Sequence, residues 1–262
     1  MTHPPVHTPP GAGYDVDVST TPQPAPPPAA AKASVWEDFL DIFYAPSAVF
    51  ARREQGSVWI PMLVVTVLIG TFFVLNSGML EPMMDAEFRR SMAAAAEGGR
   101  PQPTAEQLEQ MRGFSATMAK IMAFVSMPLV ILFVGAMLWL AGKLVSARQS
   151  FHAALVVTAY AYMPKVLEVL LVSVQGLLLD PGTLDGRYRL TFGVGRFLDP
   201  DTTAPALLAL LGRVDVFTLW VTALLAIGLA VTGRISRGQA AIAAAIVWLV
   251  GALPALLPAL MG

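Results

Sequence analysis

Cysteine is absent from the 262-residue chain. Disulfide staples, thiolate nucleophiles and thiolate metal sites are therefore excluded. Charge is also scarce: Asp, Glu, Lys and Arg make up 13% of the residues, against roughly 25% in ordinary soluble domains. Only four lysines occur, and the formal net charge of -1 gives no basic field for nucleic acid. Two of the three histidines, His3 and His7, fall near the start, so His152 has no second imidazole beyond them to share a metal. The chain contains no G-x-G-x-x-G, Walker loop, H-E-x-x-H or G-x-S-x-G elbow, and no paired membrane aspartates. These absences leave no catalytic residues, metal or cofactor to assign, and the expectation is a protein that is not an enzyme.

What the chain does have is oil. Hydrophobic residues make up 55% of it. Met118–Val145 carries charge only near its ends, at Lys120 and Lys143. As a helix it is long enough to cross about 30 Å of hydrocarbon. Four further stretches behave alike, giving expected spans at 57–75, 118–145, 151–177, 206–231 and 239–260. The fold class that follows is all-α, a polytopic bundle of five transmembrane helices. Pro61 falls in the first turn of the first span, where a missing amide costs little. Asn76, Ser77 and Gly78 end that span, and Pro128 is a candidate bend in the second.

Residues 1–33 are rich in Pro, Ala and Thr and bury too little to offset ordering entropy, so a disordered leader is expected. It has no basic start followed by an apolar core, which argues against a signal peptide. The membrane domain is assigned to 34–262. At its start, Trp36, Phe39 and Phe43 form a bulky stripe, followed by Arg52 and Arg53. The segment is too short to span, so an interfacial helix is expected, with the two arginines toward lipid phosphates and the aromatics toward a partner. Between the first two spans the charges and a Gly-Pro break suggest two short surface helices, the second capped by Thr104 with Gln107. Alternation in Arg187–Val194 suggests a small hairpin.

Basic residues set the orientation. Arg52 and Arg53 precede the first span, Lys143 and Arg148 join the second to the third, and Arg234 and Arg237 join the fourth to the fifth. Five crossings put all three groups on one side, and the positive-inside rule makes it cytoplasmic. The N-terminus is then cytoplasmic and the C-terminus outside.

Charges inside lipid are costly unless paired or reached by water. Lys165 and Glu168 share one face of the third span, while Arg213 and Asp215 lie at matching depth in the fourth. The expected network pairs Lys165 with Asp215 and Glu168 with Arg213. It is open to two readings, an interhelical lock or a site for an ion, proton or lipid headgroup. Pro164 breaks the third span after Tyr160 and Tyr162 and frees the Tyr160 carbonyl, making a polar spot.

Four stretches carry a resemblance: Trp36–Pro46, Ser150–Pro164, Leu211–Trp220 and Trp248. The run Asp41-Ile42-Phe43-Tyr44-Ala45-Pro46 echoes the acidic, aromatic motif of the Yip domain family, membrane proteins named for interaction with Ypt/Rab GTPases. The chain resembles that family from about Val35 to Leu260, and its Ala/Arg-rich style is similar to bacterial members. The resemblance implies a non-enzymatic scaffold in the bacterial inner membrane. Its implied partners are membrane lipids and proteins met through the N-terminal helix, with a homo-oligomer left open. The alternative is a transporter or channel built on the charged network.

Overall fold

The computed structural model describes residues 1–3, 34–99, 103–180, 186–254 and 256. The disorder expected of the leader, the Gly-Pro break after Gly99 and the end of the fifth span fall largely outside the described residues. The chain divides into two units, 1–34 and 35–262, and every described helix lies in the second. Its order is α1 (Val35–Asp41), α2 (Pro46–Arg53), α3 (Trp59–Leu75), α4 (Ser77–Glu97), α5 (Ala105–Leu144), α6 (Phe151–Ala161), α7 (Met163–Leu178), α8 (Pro205–Leu211), α9 (Val216–Gly233) and α10 (Arg237–Val250). Two 3-10 turns, Arg187–Leu190 and Val194–Phe197, precede α8.

Among the described residues three helical segments are long and apolar enough to cross a membrane: α5, the broken pair α6–α7 and α9. Counting α3 with α4 as one bent segment gives a fourth, and α10 is a shorter apolar helix. The bend between α3 and α4 is 82° and falls at Asn76. There the Asn76 side chain donates to the Phe72 carbonyl, closing α3 rather than continuing it. The second of the expected surface helices does not stand alone. Its Thr104–Gln107 capping box starts α5, which then runs 40 residues without interruption through Pro128. Nothing between Thr104 and Met118 stops propagation once the cap has fixed the first turn.

Helix α3 packs on α5 and α7, α5 on α6 and α10, and α9 on α6 and α10. Close approach of α6 to α9 depends on Gly228, because a Cβ there would lie 2.3 Å from a methyl of Val157, a side chain that is itself buried. The two tight turns meet at one end of the bundle. The Arg148 backbone amide donates to the Gly233 carbonyl (3.0 Å), the Gln149 side-chain Nε2 to the Thr232 hydroxyl (2.6 Å), and the Gln239 Nε2 to the Val145 carbonyl (3.4 Å). The basic loops Lys143–Arg148 and Arg234–Arg237 therefore share an end.

Two expectations are corrected beyond this bundle. The fourth apolar segment, expected to be continuous over 206–231, is interrupted. Helix α8 stops at Gly212, and α9 begins only after Asp215, whose carboxylate accepts the amides of Phe217 and Thr218. A buried carboxylate at that point caps a new helix instead of lying inside an old one. The hairpin expected around Arg187–Val194 is also absent among the described residues. In its place are the two 3-10 turns and one isolated bridge between Gly193 and Asp215. The Phe192 amide is taken by the Asp215 carboxylate (2.9 Å), so it cannot join a strand ladder. Gly193 is required there, because a Cβ would sit 2.3 Å from the Val214 carbonyl oxygen.

Candidate functional site

The N-terminal segment is a helical hairpin, not a single interfacial helix. Pro46 cannot continue α1 but suits the first turn of α2. Asp38, fully buried, binds Arg52 at 2.5 Å and also Arg53, and Arg52 further binds Asp41. The two arginines expected to face lipid phosphates are thus neutralised within the hairpin. The acids lie on α1 within reach of the bases on α2, and a fixed carboxylate wins over a mobile headgroup. The Tyr44 hydroxyl and the Arg52 guanidinium hold the Asp41 carboxyl below its ordinary range.

The hairpin lies alongside the bundle. Its Phe39 ring is 5.7 Å from that of Tyr160 on α6, and its Phe43 ring meets Trp220 on α9 edge-on at 5.6 Å. Ile42, Val49 and Phe50 are buried with them in the main core. Trp220 lies about 20 Å along the α9 axis from the end at Gly233. At that same end the carbonyl oxygen of Gly56, just after α2, accepts a hydrogen bond from Nε2 of His152 at 2.8 Å. The hairpin thus ends near the tight turns and reaches inward along α6 and α9. Phe39 and Phe43, expected as a contact face, are instead the anchors. The exposed bulky apolar residues of the hairpin are Trp36, Leu40 and Tyr44, spaced four apart along one line of α1 and its final turn.

The second constellation gathers where α7, α9 and α10 meet. The Lys165 ammonium lies 2.6 Å from Glu168, donates to the Thr218 hydroxyl at 3.1 Å, and is 3.9 Å from Asp215. Asp215 is 2% exposed and accepts three backbone amides, from Phe192, Phe217 and Thr218. Three of the four network residues therefore come together, and Arg213 does not join them. Its guanidinium donates to the Gly251 carbonyl (3.0 Å) and lies over the Trp248 ring at 5.6 Å. The pairing of Glu168 with Arg213 does not form, because Lys165 occupies Glu168 and the α8–α9 connection carries Arg213 toward α10. A cavity of about 300 Å³ is lined by Lys165, Tyr162, Thr218, Arg213 and Trp248, with apolar walls from α5.

The break at Tyr162 is real, and Met163–Pro164 start α7. The polar spot expected at the Tyr160 carbonyl is not open: the cap amides of α6 bond the Thr158 and Tyr160 carbonyls. The Thr158 hydroxyl turns back to Ala154 (2.8 Å). Trp248 and Gly251 were missed as partners of Arg213, and no local spacing could reveal a contact spanning 38 residues.

Among the described residues no group of three or more His, Asp and Glu side chains is placed to hold a metal. Several apolar helices of spanning length define a polytopic all-α membrane protein. The chain matches the Yip1 domain over residues 40–257 and belongs to the Yip1 domain family, whose members are non-catalytic membrane proteins. No curated protein and no solved structure matches it.

Proposed function

We propose that the chain is a scaffold of the bacterial inner membrane that gathers lipid or protein partners along its N-terminal hairpin. Its crossings are α3, α5, α6–α7, α9 and α10, with the N-terminus and both tight turns cytoplasmic and the C-terminus outside. The observation that carries this reading is the exposed line of Trp36, Leu40 and Tyr44 on a hairpin whose charges are satisfied internally and whose other face is anchored. A rigid base with a bulky apolar face is suited to contact, since aromatic anchors concentrate binding energy when desolvated. In proteoliposomes, native mass spectrometry of the wild type is expected to retain bound lipid, a second copy or a co-purifying protein. Trp36→Ser with Leu40→Ser is expected to lose that retention while the thermal midpoint stays within a few degrees, because exposed positions contribute little to stability. Undiminished retention by the double variant would refute the assignment.

A second reading, passage of an ion, proton or lipid, is favoured by the cavity beside Lys165. It predicts flux in proteoliposomes that Glu168→Gln abolishes without loss of folding.

A further inference from the structure

The cavity between α5, α7, α9 and α10 holds two cations and no acid. Lys165 and Arg213 both line it, whereas Glu168 and Asp215 do not. The electrostatics of the two cations differ. Lys165 is held between two carboxylates, but Arg213 has no carboxylate within 4.0 Å among the described residues; its guanidinium meets the neutral Gly251 carbonyl and the Trp248 ring. The Nε of Arg213 is buried without a hydrogen-bond partner, and so is the indole Nε1 of Trp248. Both groups are donors only, so each requires an acceptor. Two such donors, on adjacent side chains that line one cavity, are complementary to an oxyanion. The Tyr162 and Thr218 side chains line the same space and extend the polar end.

The rest of the cavity is apolar. Val130, Phe133 and Val134 of α5 form that wall, and Phe133 is exposed on the outer face of the bundle. A volume of about 300 Å³ lies at the lower end of small-ligand sites. Gly251 and Pro254, just past α10, close the polar end at the side opposite the tight turns. Polar donors at one end and an apolar wall leading to the lipid-facing surface match the layout of an anionic amphiphile.

We propose that this cavity binds a phosphate ester, held by Arg213 and Trp248. Its source is either the headgroup of an anionic phospholipid, with the acyl chains along Phe133, or a free phosphate. Donors from the α8–α9 connection, α7 and α10 surround the space from three directions, which suits the several acceptor oxygens of a phosphate better than the two of a carboxylate. The proposal needs neither the hairpin face nor transport, so it stands or falls apart from both.

The test uses the full-length protein in vesicles of phosphatidylcholine doped with phosphatidylglycerol, read by native mass spectrometry and by ³¹P NMR. Retention of phosphatidylglycerol over phosphatidylcholine is expected at about tenfold, because both carry the phosphodiester but the choline cation would lie beside Lys165 and Arg213. Arg213→Gln and, separately, Trp248→Phe are expected to bring the ratio near one, and Arg213→Lys to leave an intermediate value. Trp248→Phe removes the N–H while keeping a smaller aromatic face under Arg213, so it remains informative if Arg213→Gln fails to fold. A second arm adds inorganic phosphate. Displacement of the lipid, or phosphate binding in pure phosphatidylcholine that the same variants abolish, assigns the site to a free anion. No displacement assigns it to the headgroup. A lipid ratio unchanged in both Arg213→Gln and Trp248→Phe, or no preference and no phosphate binding in the wild type, would overturn the proposal.

Discussion

Asp215→Ala is expected to destabilise the protein by about 3–5 kcal/mol, the range found when one partner of a buried charge pair is removed. The carboxylate has several roles at once. It caps α9 through Phe217 and Thr218, ties down the Phe192 amide and lies 3.9 Å from the Lys165 ammonium. Losing a cap alone costs about 1 kcal/mol. The remainder comes from the stranded Phe192 amide and from Lys165 left with Glu168 as its only carboxylate. Asp215→Asn separates these parts, because asparagine caps about as well as aspartate but carries no charge. Its expected loss is smaller than that of alanine and larger than zero. Thermal unfolding in detergent, followed by helical circular dichroism, gives the order wild type, Asn, Ala. An alanine variant as stable as wild type would show that α9 does not depend on this residue.

The second large effect is expected at Asp38. Its side chain is fully buried while the two arginines that meet it keep part of their surface open, with 29% and 23% of their side chains exposed. Water reaching the arginines softens the penalty, so Asp38→Ala is placed at about 2–3 kcal/mol, below the range for a closed pair. The loss is local. Releasing Arg52 and Arg53 frees α2 from α1 while Phe39 and Phe43 still hold the hairpin to α6 and α9. Trypsin cleaves after arginine, so cutting at Arg52 and Arg53 reads the release directly. A change of this size corresponds to roughly 30- to 150-fold faster cleavage when opening is rapid. Equal cleavage of wild type and variant would mean that the salt bridges do not hold the hairpin.

Oily segments were legible because apolar length is a one-dimensional signal. Met118–Val145 announces its helix without knowledge of any neighbour, and Thr104 with Gln107 marks the start of α5 through a contact three residues long. Lys165 with Glu168 was legible for the same reason. Arg213 was not. The depth of its neighbour Asp215 matches that of Glu168, but depth does not say which way a connection turns, and the break at Gly212 sends Arg213 to α10. The hairpin lock had a signal that was left unused: acids on one short helix and bases on the next, separated by a Pro-marked turn, are complementary if the two helices fold back. Asp215 showed the limit of reading charge in isolation. A carboxylate among apolar residues suggested an intramembrane ion pair, and its first role turned out to be starting a helix.

The central claim is that lipid surrounds helices whose two tight turns lie together on the cytoplasmic side. The natural absence of cysteine permits a direct measurement. Single variants Arg148→Cys, Arg237→Cys and Thr202→Cys occupy exposed positions and can be labelled with a membrane-impermeant maleimide in intact spheroplasts and after lysis. Labelling at positions 148 and 237 only after lysis, and at position 202 in both, is the predicted result. Labelling of 148 and 237 from opposite sides, or of both from outside in intact spheroplasts, would contradict it.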